Sequence, residues 1–228
     1  MKNKEVIQRI QQLYSKGVHS DDSRLKSRHI YSVLKSVRNL LLTQQMNKKQ
    51  ALSNWSFQTL PCVELIEVPD SLCPCVPPSG CTILRSKYRL PSTVKSLYGD
   101  SFKSVFLMDK KPIPEVDMSV VPYSSGGKYT SNSLKYFIND GYIYVVSDVT
   151  LKIVTVVGVF EDPIDAERFE NFCSSTGDCI DCMDYMELEF PIDGNLIKPL
   201  LELTYQEVVS QFSQGVEDKR NDSDGEQR

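Results

Sequence analysis

The residues that could do chemistry in this chain are its cysteines. The stretch "SLCPCVPPSGC", residues 71–81, sets three of them among three prolines and a glycine, and Cys62 lies just upstream. Four thiolates from Cys62, Cys73, Cys75 and Cys81 would satisfy a tetrahedral zinc ion. Their spacing does not. Structural zinc is held by paired knuckles, each on a tight turn, whereas Cys73-Pro74-Cys75 leaves one residue between thiols. The two histidines, His19 and His29, are far from every cysteine in sequence. These cysteines therefore read as small apolar residues, and a zinc-stabilised binding module is the alternative reading.

A redox role for Cys179-x-x-Cys182 is weaker. Such a pair needs a helix N-terminus to lower its thiol pKa, and here Asp178, Asp181 and Asp184 oppose a thiolate. "SSGGK", residues 124–128, lacks the spacing of a phosphate-binding loop. "STGDCIDCMD" has acids at partial calcium-loop spacing but no terminal glutamate. Neither histidine accompanies a nucleophile motif. The expectation is a non-enzyme with no catalytic residue, no cofactor and no metal.

The rest of the chain is built for assembly or simple solubility. It has 228 residues, 40% of them hydrophobic and 25% charged, enough for a sizeable core. Its net charge of −4 argues against general nucleic-acid binding. No apolar run approaches the roughly 20 residues of a membrane helix, and "MKNKEVIQRIQQLY" lacks the apolar segment of a signal peptide. Folding in a reducing cytoplasm is expected, and a full disulfide framework is not.

Hydrophobic spacing predicts an α+β fold: an N-terminal helical hairpin and a C-terminal helix packed together, with an inserted antiparallel β-sandwich or barrel-like region. Val6, Ile7, Ile10, Leu13 and Tyr14 mark one helix, stopped by Gly17. A second helix runs to about Ala51, with Ser20, Asp21 and Asp22 as cap candidates. Leu25, His29, Tyr31, Val33, Leu34, Val37, Leu40, Leu41 and Met46 form its apolar stripe. Lys26, Arg28, Lys35, Arg38, Lys48 and Lys49 give it a basic outer face.

From Trp55 the pattern turns β-like, and Pro61 and Pro69 should confine the first strand to an edge or a short piece. "LKYFINDGYIYVV" predicts a tight hairpin around Asn139-Asp140-Gly141. "LKIVTVVGVFEDP" reads as a strand buried on both faces. In the last helix Pro199 falls in the first turn, and Leu196, Leu200, Leu203, Val208 and Phe212 share a face. The expected divisions are 1–54 (helical hairpin), 55–162 (β-rich), 163–212 (C-terminal helical segment) and 213–228 (polar docking tail).

The order of segments carries a resemblance over essentially the whole chain. "SRHIYSVLKSVRNLLL", "NWSFQTLPCVELIEVP", "CVPPSGCTILRSKYRLP", "LKIVTVVGVFEDPIDAERF" and "MELEFPIDGNLIKPLLELTYQEVVSQF" together resemble the tail-ring proteins of crAss-like, short-tailed Bacteroides phages. That resemblance implies a head-to-tail connector of the virion tail, assembled in the host cytoplasm. Its implied partners are the portal protein, neighbouring copies in a ring of twelve, and other tail-ring or tail-barrel proteins. DNA would pass through the channel without sequence-specific binding, and no membrane is involved.

Overall fold

The computed structural model describes residues 1–17, 25–68, 82–121, 134–147, 151–169, 173 and 184–213. The chain divides into two compact units, residues 1–56 with 184–228, and residues 57–183.

The first unit is helical. Helix α1 (Asn3–Tyr14) buries Val6, Ile7 and Ile10 along one stripe. Lys16 and Gly17 then turn left-handed at φ 50° and 84°, and the Gly17 amide donates to the Gln12 carbonyl at 3.0 Å. That closure satisfies the open carbonyls of the last turn, as the glycine predicted. Helix α2 (Ser27–Asn47) starts at Lys26 with no side-chain cap. The cap candidates Ser20, Asp21 and Asp22 lie outside the described residues.

The stripe of α2 departs from expectation at three positions, one of them His29, which is exposed. Leu40 is exposed, whereas Arg38, expected on the basic outer face, is 0% exposed. The reason is position: Arg38 lies one turn from Leu34, Leu41 and Leu42 on the buried side of the helix. Of the expected basic face, Lys26, Arg28, Lys48 and Lys49 are exposed and Lys35 is half-buried.

The N-terminus and the lead into the last helix pair as a short antiparallel ladder. The amides of Asn3, Lys4 and Phe190 donate to the carbonyls of Leu188, Met186 and Met1. At its edge Lys2 Nζ lies 2.7 Å from Glu187 Oε2. This hydrogen bond, and then the paired charge, raises the lysine pKa and lowers that of the carboxyl. The pair is solvent-exposed and contributes little to stability.

The last helix, α4 (Gly194–Ser213; α3 lies in the second unit), packs on α1 and α2. It begins early enough to place Pro199 inside the helix rather than in its first turn. The missing N–H leaves the Asn195 carbonyl without its helical donor, at an exposed residue where water can serve. The buried row is Leu196, Leu200, Thr204 and Val208. Leu203 is exposed, and the side chain of Phe212 lies outside the description.

Thr204 is fully buried and its hydroxyl has no hydrogen-bond partner. Thr204→Val keeps the shape and removes the desolvated hydroxyl. It should raise the denaturation free energy by about 1 kcal/mol in a urea titration. A loss of stability would mean the hydroxyl is satisfied in solution.

The second unit is a nearly closed barrel. Its strands are β1 (Gln58–Glu67), β2 (Thr82–Ser86), β3 (Lys95–Ser96), β4 (Gly99–Asp100), β5 (Phe102–Phe106), β6 (Pro112–Ile113), β7 (Lys135–Asn139), β8 (Tyr142–Ser147) and β9 (Ile153–Gly158). Seven of them form one sheet in the order β6-β5-β9-β1-β2-β8-β7, every pair antiparallel. Its two edges meet: Glu115, just past β6, bridges Tyr136 of β7. The Tyr136 amide donates to the Pro114 carbonyl at 3.0 Å, and the Val116 amide to the Tyr136 carbonyl at 2.9 Å. Joining the edges removes exposed pairing groups that would otherwise recruit another strand.

Leu60, Val63, Leu65, Leu84, Val105, Ile143, Val145, Val154, Val156 and Phe160 fill the barrel. On the other face of the β7–β8 hairpin, Phe137 and Tyr144 stack at 4.9 Å between ring centroids. Asp140 and Gly141 take φ 51° and 77°, the left-handed pair that a two-residue hairpin turn requires. The sequence predicted this turn. Strand β9, expected to be buried on both faces, alternates instead: Val154, Val156 and Gly158 are buried, and the residues between them are half-buried.

Strand β1 overturns a second expectation. It is ten residues long and central, between β9 and β2, despite Pro61. A bulge makes this possible. Leu60 pairs with Val156 and Val63 with Val154, so Pro61 and Cys62 together oppose the single residue Thr155. The bulge takes the proline out of the ladder, and Cys62 bends the strand at φ 53°.

Helix α3 (Pro163–Glu167) starts at Asp162, whose carboxylate accepts from the Ile164 amide at 3.0 Å. The Gln58 side-chain amide donates to the Pro163 carbonyl at 3.0 Å and ties α3 to β1.

Candidate assembly surfaces

The structure places the candidate cysteines differently from a metal centre. Cys62 is disulfide-bonded to Cys173, with Cα atoms 5.7 Å apart. A sulfur in a disulfide is not a thiolate, so this pairing removes Cys62 from the four-thiol set. It also corrects the reading of Cys62 as a plain apolar thiol. The bulge turns residue 62 out of the ladder, and there it meets Cys173. Cys73, Cys75, Cys81, Cys179, Cys182 and the "SSGGK" loop lie outside the described residues. His29, expected in the α2 stripe, is exposed, and its Nε2 pairs with Gln211 Oε1 at 2.8 Å. Among the described residues no three His, Cys, Asp or Glu gather as a metal-binding group, and no helix is long and apolar enough to cross a membrane.

Two surfaces that sequence reading missed are apolar and open. The first lies between α1 and α4. Beside the buried row of α4 runs a second row, Ile197, Leu201 and Tyr205, one helical turn apart and only half-buried. With Leu13 of α1, 50% exposed, it walls a groove of about 530 Å³. Arg9, Lys198 and Glu202 stand on its rim, the last two 4.0 Å apart.

The second is the tip of the β3–β4 hairpin. Its two turn residues are Leu97 and Tyr98, 82% and 64% exposed. Turns usually place Gly, Asn, Asp or Pro in such positions. Here the serine before them does the shaping. Ser96 Oγ accepts from the Tyr98 amide at 3.2 Å and donates to the Gly99 carbonyl at 3.1 Å, and Gly99 takes φ 113°. The signals for both surfaces were in the sequence: a second i, i+4 apolar row on α4, and "KSLYGD" with a glycine after two large apolar residues.

These surfaces offer contact, and a family match over nearly the whole chain makes its class a structural component of the phage virion tail. A model of the family described as phage tail ring protein 2 matches residues 5–227, and the chain belongs to that family. It is similar to Ring protein 2 of Bacteroides phage crAss001, at 30% identity over 198 residues covering 83% of each chain.

Proposed function

We propose that the chain is a non-enzymatic connector subunit. Twelve copies form a ring below the portal, join it to the tail and continue the DNA channel. The observation that carries this reading is the family match across residues 5–227. The partners are the portal protein, neighbouring copies, and other tail-ring or tail-barrel proteins. Assembly takes place in the host cytoplasm. A net charge of −4 suits a channel through which DNA slides without sticking. The terminal residues 213–228, "SQGVEDKRNDSDGEQR", have the polar, mixed-charge composition of a segment that orders on a partner. The zinc-module alternative loses one of its four candidate ligands to the Cys62–Cys173 bridge.

A chain ending at residue 212 should fold, keep the wild-type circular dichroism spectrum, and bind purified portal at least about tenfold more weakly, a loss near 1.4 kcal/mol. Wild-type portal binding by the truncated protein would remove the docking role of the tail. An image of the assembled particle showing the protein outside any ring would remove the connector reading itself.

A further inference from the structure

The barrel closes along only part of its seam. Residues 114–116, just past β6, lie beside β7 in the parallel sense, and their ladder bonds go to Tyr136. Asp117 then turns the chain. Its carbonyl accepts from the Val120 amide at 2.9 Å and its carboxylate from the Ser119 amide at 2.8 Å. A continued parallel ladder would bond next to Ile138, two residues along β7.

Ile138 is oriented for such bonds. It sits opposite Ile143 in the β7–β8 hairpin, and the Ile143 amide donates to Ser86 Oγ of β2, on the side away from β7. The two isoleucines are therefore a non-hydrogen-bonded pair, and the Ile138 amide and carbonyl point out of the hairpin, as those of Tyr136 do. Among the described residues neither group has a partner.

The gap beside them reaches the core. A cavity of about 220 Å³ opens between Ile138 and Phe102, the first residue of β5, with Leu90 in its wall. All three side chains belong to the apolar packing of the barrel. Lys95 and Glu161 also line the cavity, and each already interacts within the chain. Arg89 does not: it is exposed at the cavity, with no hydrogen bond or ion pair among the described residues.

Independently of the ring reading, we propose that this gap is a strand-acceptor site for an extended, acidic segment of a different protein chain. The segment's backbone bonds to both free groups of Ile138 and prolongs the row that residues 114–116 begin. One of its apolar side chains covers Leu90 and Phe102, and a carboxylate pairs with the Arg89 guanidinium. An anion alone could use the Ile138 amide but not its carbonyl, whereas an extended backbone uses both.

The test selects random octapeptides on the full-length protein. Enriched peptides are expected to combine β-branched or aromatic residues with aspartate or glutamate, and to bind Arg89→Glu at least about tenfold more weakly, the scale of a lost charged hydrogen bond. N-methylation of alternate amides in an enriched peptide should cost about tenfold where those amides face β7, and little at the intervening ones. Bound peptide should slow hydrogen exchange within residues 134–139 and leave residues 194–205 unchanged. No enriched peptide, binding indifferent to either change, or protection elsewhere would overturn the proposal. Protection of residues 134–139 by rising protein concentration without peptide would assign the edge to a second copy and overturn it as well.

Discussion

Arg38→Ala should destabilise the helical unit by about 2–5 kcal/mol, the range expected when a large, fully buried side chain is truncated to alanine. The guanidinium is fully buried. Its Nε donates to the Pro191 carbonyl at 2.8 Å, its Nη1 to Asn39 Oδ1 at 3.1 Å, and its carbon lies 5.9 Å from the centre of the Phe190 ring. These contacts hold the segment that leads into α4 against α2, so one side chain fixes where the last helix begins. Alanine would leave a large void and a carbonyl without its donor.

Arg38→Met separates the two costs. It fills most of the volume and keeps an apolar contact with Phe190, so it should lose clearly less than alanine. On heating, alanine should lower the midpoint by roughly 10 °C, from a few degrees per kcal/mol. If alanine and methionine both shifted it by under about 1 °C, within the effect of an ordinary surface change, Arg38 would not be holding this junction.

What was legible in the sequence was local. Asp140-Gly141 between aromatic and β-branched runs can form little other than a two-residue hairpin, and Gly17 after an apolar stripe stops a helix. The helical–β–helical order and the family followed from the whole run of segments. What failed was decided by distant parts of the chain. Pro61 argues against a central strand only if the ladder is regular. The bulge that removes it from pairing is fixed by register with β9, which begins ninety-two positions later at Ile153 (153 − 61).

Arg38 reads as a surface residue by type. Only its place beside Leu34, Leu41 and Leu42, and the carbonyl of Pro191, make it a core residue. Pro199 reads as a first-turn proline because it lies close to the helix start, but counted from Gly194 it is the sixth residue (199 − 194 + 1) and falls in the second turn. The open surfaces were visible in composition but had no meaning there. An apolar pair at a hairpin tip becomes informative only once the turn is known to project it.

Reducing the Cys62–Cys173 bridge should destabilise the barrel unit by about 2–5 kcal/mol. The two cysteines are separated by 111 positions, and the loop between them contains every strand after β1. In the chain-entropy account, a closed loop of about 100 residues restricts the unfolded ensemble by up to about 4.7 kcal/mol. The effect should fall on the barrel, because both sulfurs belong to residues 57–183. The double variant Cys62→Ser/Cys173→Ser should melt like wild-type protein in reductant, and reductant should not shift it further. Proteolysis should then cut within residues 57–183 before it cuts the helices. Equal midpoints for wild-type protein with and without reductant, together with seven free thiols by mass, would show that the bridge does not form. Where it does form, timing follows from chemistry. On the proposed assembly in the host cytoplasm, the thiols stay reduced while the chain folds, and the bridge closes only when an oxidant becomes available. The barrel therefore gains its covalent tie after the fold has brought residue 62 at its bulge against residue 173. Protein from mature particles should show the bridge, and protein taken from the host cell under thiol-trapping conditions should not.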